Sequence, residues 1–372
     1  GGSRSNDVLL VVSDAYIAVQ LLRCLHDCKR KARILDFTGS PYLRWSRACL
    51  DYSQGAIDTI RGQGPAMARF LDDTHAERAF GMAMAAGMDA TLMLARSMPY
   101  ITRFDLFHMM SSDVLERLND KWQFADLCRK LRLPHPETVL VHSAHEELPS
   151  WSDGAKMVLK PLALSGGRGV RIVEAPADAR LVLDELQASA RLPCIVQTYV
   201  PGYDGVLGIL ARDGRVVSAT LHWYREDRRS AVFCDASSVV EMAQRIAEAE
   251  RLTGIFEFDL RYEPAGQRWW LTECNPRFWA SVDLSSFAGV NFVRSGLALC
   301  DPRSDEMAPP TLPVGEWMRI KEYGRRMRQL GLRSSGLPST MTLNSLRATI
   351  RDPILAAFSR SDKRRSQDSA LH

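Results

Sequence analysis

The sequence predicts an α/β protein: an N-terminal unit on a parallel sheet, a small central unit carrying a glycine loop, an antiparallel-sheet unit and a helical tail. Three observations carry that expectation. The chain opens strand, helix, strand, with DVLLVV, AYIAVQLLRCLHDCKRK and ARILDF in succession, which is the pattern of a parallel βαβ unit. Its second half alternates long hairpins with a helix. Its 372 residues, 46% hydrophobic and 25% charged, have ordinary globular composition and suffice for two or three packed units.

Taken in order, DVLLVV is a short buried strand, and the following stretch repeats apolar residues every three to four positions, as a helix does. No G-x-G-x-x-G turn joins them, so a dinucleotide fold is not indicated. The most apolar stretch, AFGMAMAAGMDATLMLARSM, contains Gly81, Gly87 and Asp89 and reads as core helix or sheet rather than a membrane span. Residues near 40 to 105 otherwise support no detailed expectation. NDKWQFADLCRKLRLPHPET opens a new unit with a helix over 121–131, stopped by Pro134 and Pro136. KMVLKPLALSGGRGVRIV reads as strand, glycine loop, strand; a helix from Ala177 to Arg191 and the strand CIVQTYV follow. GVLGILARDGRVVSATLHWY is a hairpin about Asp213-Gly214, SSVVEMAQRIAEAERLTG a helix ending at Gly254, and IFEFDLRYEPAGQRWWLTECNP a second hairpin. The expected boundaries are 6–110, 111–195, 196–300 and a basic extension over 301–372.

The net charge of +4 does not call for nucleic acid. The basic residues of the tail, Arg325, Arg326, Arg328, Arg333, Arg347, Arg351, Arg360, Lys363, Arg364 and Arg365, read as solvated surface. Eight cysteines are scattered without the close pairs of a zinc module and suit a reducing cytoplasm; Cys24 and Cys28, four apart on a helix, read as packing. The opening Gly1-Gly2-Ser3 reads as a cloning remnant with no basic-then-apolar leader behind it.

The chemistry concentrates in LTECNPRFWAS, where a carboxylate, a carboxamide and a guanidinium stand two residues apart at the end of an apolar strand. Side chains two apart on a strand share a face, so Glu273, Asn275 and, if Pro276 allows, Arg277 point one way. In IFEFDLRY the same alternation sets Glu257, Asp259 and Arg261 opposite Phe256, Phe258 and Leu260. Convergence of Asp259, Glu273 and Asn275 supplies the hard oxygen donors that hold magnesium beside phosphates; a solvated polar sheet face is the alternative. Lys160 ends the apolar strand MVLK, and the SGGRG that follows lets backbone N–H groups close around phosphate oxygens. GxxxxGK[ST] is absent, so this is no P-loop. Lys121 precedes an amphipathic helix and alone reads as surface. In CIVQTYVPGYDG a buried strand runs into a Pro-Gly turn, an exit whose backbone groups suit an adenine edge while Asp204 takes ribose hydroxyls.

In this order, across roughly residues 110 to 300, these pieces resemble the ATP-grasp superfamily. ECNPRFWAS resembles the metal-binding strand of carbamoyl phosphate synthetase-like members and of a bacterial ATP-grasp group whose tail RDPILAAFSRSD also resembles. The resemblance implies an ATP-grasp fold with a pre-ATP-grasp unit, a lid subdomain and a C-terminal antiparallel-sheet subdomain, with ATP between the two sheets. It implies nucleotide contacts from Lys121, Lys160, Gly166, Gly167, Gly169, Gln197, Tyr199, Val200 and Asp204, and two Mg2+ ions, replaceable by Mn2+, on Asp259, Glu273 and Asn275. Lys160, Arg277 and Arg225 are implied at the transferring phosphoryl group. The implied reaction joins a small carboxylic acid to an amine or amino acid through an acyl phosphate, releasing ADP; the implied partners include no nucleic acid and no membrane, and a homodimer stays open. A kinase on the same fold and a non-catalytic nucleotide-binding protein are the alternatives. In HWYREDRRSAVFCDASS, Asp227, Arg228, Arg229 and Ser230 replace the glycine-containing turn of many relatives, which leaves the acceptor substrate unassigned and makes a role for Arg228 and Arg229 less secure than for Arg225.

Overall fold

The structure, a computed structural model, describes residues 7–56, 64–149, 155–162, 169–225, 230–300, 312–319, 322–325, 328 and 339–352. Val8–Val12 (β1), Ala15–Asp27 (α1) and Ala32–Asp36 (β2) form the expected opening. All five residues of β1 are buried, because a central parallel strand is covered on both faces. Asp14 caps α1, its carboxylate accepting from Ile17 N at 3.0 Å. The stretch without a detailed expectation contains Cys49–Gln54 (β3), Gly64–Glu77 (α2), Met82–Ala86 (β4), Met88–Ser97 (α3) and Asp105–Leu106 (β5). The most apolar run of the chain is thus strand and then helix. The five strands pair in parallel in the order β3-β2-β1-β4-β5. Among the described residues no helix is long and apolar enough to cross a membrane.

Next come Ser112–Asn119 (α4), Lys121–Lys130 (α5), Thr138–Val141 (β6), Met157–Pro161 (β7), Arg171–Val173 (β8), Pro176–Ala188 (α6) and Cys194–Thr198 (β9). α6 ends at Ala188 rather than Arg191, because Ala190 turns left-handed at φ +53° and Arg191 N closes back onto Leu186 O at 2.8 Å. β6-β9-β7-β8 form an antiparallel sheet.

The rest is built from Tyr203–Arg212 (β10), Arg215–Tyr224 (β11), Ser230–Phe233 (β12), Ser237–Glu250 (α7), Gly254–Glu263 (β13), Arg268–Asn275 (β14), Val282–Phe287 (α8), Phe292–Leu299 (α9), Gly315–Met318 (β15) and Thr340–Arg351 (α10). α7 stops at Arg251, which adopts φ +49° itself, while Gly254 opens β13. Six strands run β14-β13-β10-β11-β12-β15. The C-terminal extension is therefore more than helical: β15 pairs antiparallel with β12, Ala231 opposite Trp317. Its basic residues hid that strand. Arg326, Arg333, Arg360, Lys363, Arg364, Arg365 and the segment RDPILAAFSRSD past Asp352 lie outside the described residues.

The chain divides into two compact units. One takes in residues up to Leu115, Val206–Glu257 and the chain from Asn275. Its largest core joins Leu10, Leu22 and Met84 of the parallel-sheet region to Leu210, Ile255, Trp279 and Phe292. The other takes in Glu116–Gly205 and Phe258–Cys274, with Met157, Leu159, Val173, Leu183 and Val196 in its core.

In the first unit a smaller core packs Ala231, Phe233 and Trp317 against Leu284, Phe287 and Met341. His222 is fully buried beside it, its ring 5.0 Å from Phe233 and 5.1 Å from Tyr224, and neither ring nitrogen has a hydrogen-bond partner among the described residues. Burial pushes this imidazole down to about 3 from its ordinary 6.5. The unfolded chain therefore takes up this proton first, and stability present above pH 6.5 is lost as pH falls towards 3. His222→Phe is expected to flatten the acid limb of the stability profile by roughly 3 kcal/mol between pH 6.5 and 4, measured by denaturant unfolding; parallel profiles would contradict this.

Candidate nucleotide and metal site

β7 alternates Met157, Leu159 and Pro161 into the core with Val158 and Lys160 on its other face. Lys160 Nζ lies 2.9 Å from Glu273 Oε1 on β14, with side-chain exposures of 12% and 23%. Lys121 opens α5 directly after the Asp120 cap, whose carboxylate accepts from Gln123 N at 2.8 Å. Phe124, three residues on and so on the same helix face, docks 6.0 Å from Phe258 of β13. That docking buries Lys121 to 9% exposure, and its charge reaches Glu273. Burial raises the Glu273 carboxyl, but the Lys160 and Lys121 charges and the Lys160 hydrogen bond outweigh it and hold the carboxyl below its ordinary 4.5. The pair thus stabilises the fold above pH 4.5, and that contribution fades as pH falls below it.

The exit of β9 belongs to the same unit. Gln197 is 2% exposed, and its Nε2 donates to Thr138 Oγ1 at 2.9 Å, a contact inside the sheet. Arg261 of β13 engages the segment that follows: it donates to Val200 O at 3.1 Å, to Gly202 O at 2.8 Å and to Asp204 Oδ1 at 2.5 Å. Gly202 is required there, since its φ is +128° and a Cβ would lie 1.9 Å from Tyr262 O. Asp259 precedes Arg261 by two residues on the same face of β13, and its carbonyl accepts from Thr272 Oγ1 at 3.0 Å. Gly169 has φ +72°. Gly166 and Gly167 lie outside the described residues.

A second group belongs to the first unit. Asn275 Nδ2 donates to Glu257 Oε2 at 2.7 Å, and Arg277 Nη2 donates to Asn275 Oδ1 at 3.1 Å. Arg277 Nη1 also donates to Phe278 O at 2.9 Å. Two aromatic rings pin this turn. Phe278 packs 5.4 Å from Phe107, and Trp279 lies so close on Gly208 that a Cβ there would meet its ring at 2.3 Å. The PRFW that follows the strand is therefore a guanidinium followed directly by two buried anchors. Arg225 is engaged elsewhere, paired with Glu316 Oε1 at 2.9 Å and 5.6 Å above Trp223. Asp227, Arg228 and Arg229 lie outside the described residues.

Sequence reasoning put Glu257 and Arg261 on the face of Asp259 without assigning either a role. The signal was the period of two itself, which marks residues 257, 259 and 261 equally. Among the described residues no three His, Cys, Asp or Glu side chains form a group that would hold a metal ion; the expected donors are two carboxylates and a carboxamide.

Residues 191–322 match the family model of ATP-grasp proteins in the biosynthetic pathway with the Ter operon, and residues 129–250 match the ATP-grasp domain of prokaryotic glutathione synthetase. The C-terminal section of the carbamoyl phosphate synthase large chain of Methanopyrus kandleri is 26% identical over 207 residues, 50% of this chain and 37% of that protein. Residues 129–322, spanned by the two matches together, belong to the ATP-grasp superfamily. The D-aspartate ligase of Enterococcus faecium is 23% identical over 240 residues, 57% of this chain and 56% of that ligase. The matches thus span about half or less of the curated relatives. Among solved structures, the L-amino acid ligase from Bacillus licheniformis aligns with TM-score 0.57 at 13% identity, covering 79% of this chain and 74% of that one. The architecture is the ATP-grasp fold, with its parallel sheet at the N-terminus and antiparallel sheets after it.

In this ATP-grasp protein, Glu273→Gln leaves Lys160 and Lys121 without their shared counter-charge and is expected to lower stability by about 2 kcal/mol. In a Lys160→Met background the same substitution should cost at least ~1 kcal/mol less, as measured by a urea double-mutant cycle; additive costs would contradict the coupling.

Proposed function

We propose that the chain is an ATP- and magnesium-dependent carboxylate–amine ligase that forms an amide or peptide bond through an acyl phosphate, with release of ADP and phosphate. One observation carries the reading: a half-buried carboxylate, Glu273, set in the field of two ammoniums, Lys160 and Lys121. Such a cluster is an ion pair prepared for exchange. Phosphate oxygens suit the two lysines, and Glu273, with Asp259 and Asn275, offers the hard oxygens that magnesium or manganese prefers. The residues therefore fit a magnesium nucleotide. One or two bound ions would neutralise phosphate charge and act as Lewis acids.

The chain's own groups do the positioning. Lys121 and Lys160 hold phosphate oxygens. The peptide groups of Tyr199 and Val200, after Gln197, take the adenine edge, and Asp204 takes the ribose. Arg277, held by Asn275 Oδ1, steadies the transferring group, and Arg225 joins it on release from Glu316. A substrate carboxylate oxygen attacks the γ-phosphorus and ADP leaves; the amine then attacks the acyl carbon and phosphate leaves, so little beyond alignment and charge is asked of the protein. The names of two relatives, D-aspartate ligase and L-amino acid ligase, favour an amino acid or similar small acid as substrate. None of the eight cysteines forms a disulfide, which suits a cytoplasmic setting.

With magnesium, ATP and pooled amino acids and small carboxylates, the expected product is ADP rather than AMP, released only with the productive pool, and hydroxylamine should convert the activated acid to a hydroxamate. Release of AMP, or ADP release that yields no hydroxamate with any pool, would refute acyl-phosphate chemistry.

A further inference from the structure

We infer that Arg261 is the positioning residue of the nucleotide subsite, fixing the ribose acid Asp204 and the 199–202 segment as one rigid receptor so that the site selects nucleotides carrying a ribose 2′-hydroxyl. The inference rests on the reading above, in which this segment meets adenine and Asp204 meets the ribose.

The guanidinium carries five donors in a fixed plane, and four of them bond one short stretch of chain. Nε donates to Val200 O at 3.1 Å, Nη1 to Asp204 Oδ1 at 2.5 Å, and Nη2 both to Gly202 O at 2.8 Å and to the Tyr199 hydroxyl at 3.4 Å. The same group lies 5.6 Å from the Tyr199 ring centroid. Its side chain is 20% exposed against 42% for Asp204, so the arginine is the anchored partner and the carboxylate the presented one. Gly202 lets the segment lie directly on β13, where Tyr262 O leaves no room for a Cβ. Without Arg261 the turn from Tyr199 to Asp204 would lose these four hydrogen bonds. A lysine cannot replace the fork, because one ammonium does not span two carbonyls and a carboxylate with planar geometry.

Arg261 also stands two residues after Asp259 on one face of β13. The strand that offers a metal-ligating carboxylate therefore sets the orientation of the ribose acid. A carboxylate held through Oδ1 is restricted in its orientation, and an acceptor so oriented discriminates a hydroxyl from its absence by the strength of a hydrogen bond to a charged group, about tenfold or more in affinity.

The test compares binding of ATP and 2′-deoxy-ATP, each with magnesium, to the full chain by calorimetry. The wild type should prefer ATP about tenfold. Arg261→Met should weaken ATP at least tenfold and bring the preference close to one, with Arg261→Lys between the two. Equal weakening of both nucleotides with the preference kept would reduce Arg261 to a structural role and overturn the inference, as would equal binding of both by the wild type. Should Arg261→Met fail to fold, Arg261→Lys carries the same test: a reduced preference supports the inference and its full retention overturns it. A wild type that binds neither nucleotide overturns the functional reading together with the inference. One that binds both but prefers neither removes the inference alone.

Discussion

Glu273 is the constraint on which the rest depends. A half-buried carboxylate is costly unless its charge is offset, and two lysines from separate elements offset it, Lys160 by direct contact and Lys121 by its charge. Each lysine is delivered by ordinary folding forces. Lys160 faces away from the core because Leu159 and Pro161 face into it, and Lys121 is drawn in by the docking of Phe124 on Phe258. The resulting charge cluster is stable while the ammoniums and the carboxylate satisfy each other. It is equally suited to dividing into a phosphate-binding half and a cation-binding half.

The hairpin of β13 and β14 is the frame for this arrangement. One face of β13 is Phe256, Phe258 and Leu260, all buried; the other is Glu257, Asp259 and Arg261. Each polar residue has a distinct task. Glu257 orients the Asn275 carboxamide, whose oxygen then faces Arg277, and Arg261 holds the segment after β9. Residues that touch neither phosphate nor metal thereby set the orientation of those proposed to do so. The anchors Phe278 and Trp279 extend the same logic beyond the strand, since they fix the backbone that carries Arg277.

Much of this was legible in the sequence because period-two alternation is a local signal. IFEFDLRY and LTECN reveal their faces at once, and the order of lysine, glycine loop, strand exit and acidic strands carries the ATP-grasp resemblance. The parts that were not legible depend on distant partners. β15 is four residues long within a basic extension, and only its pairing with β12 makes it a strand. The end of α7 was assigned to a glycine, whereas Arg251 accepts the left-handed conformation and Gly254 is needed for close approach to His108 O. Lys121 read as surface because nothing local reveals that Phe124 will be buried. The partnership of Arg261 with Asp204 joins residues far apart in the chain, and no spacing rule reports it.

The central claim is that the Lys160–Glu273 pair exchanges partners when a metal nucleotide binds. The most direct measurement is the melting temperature of the full chain with magnesium alone, a non-hydrolysable ATP analogue alone, and both together. The account predicts a clear rise only with both, equivalent to about 2.7 kcal/mol at a hundredfold excess over the dissociation constant. An equal rise with the nucleotide in the absence of metal, or no rise with both present, would contradict it.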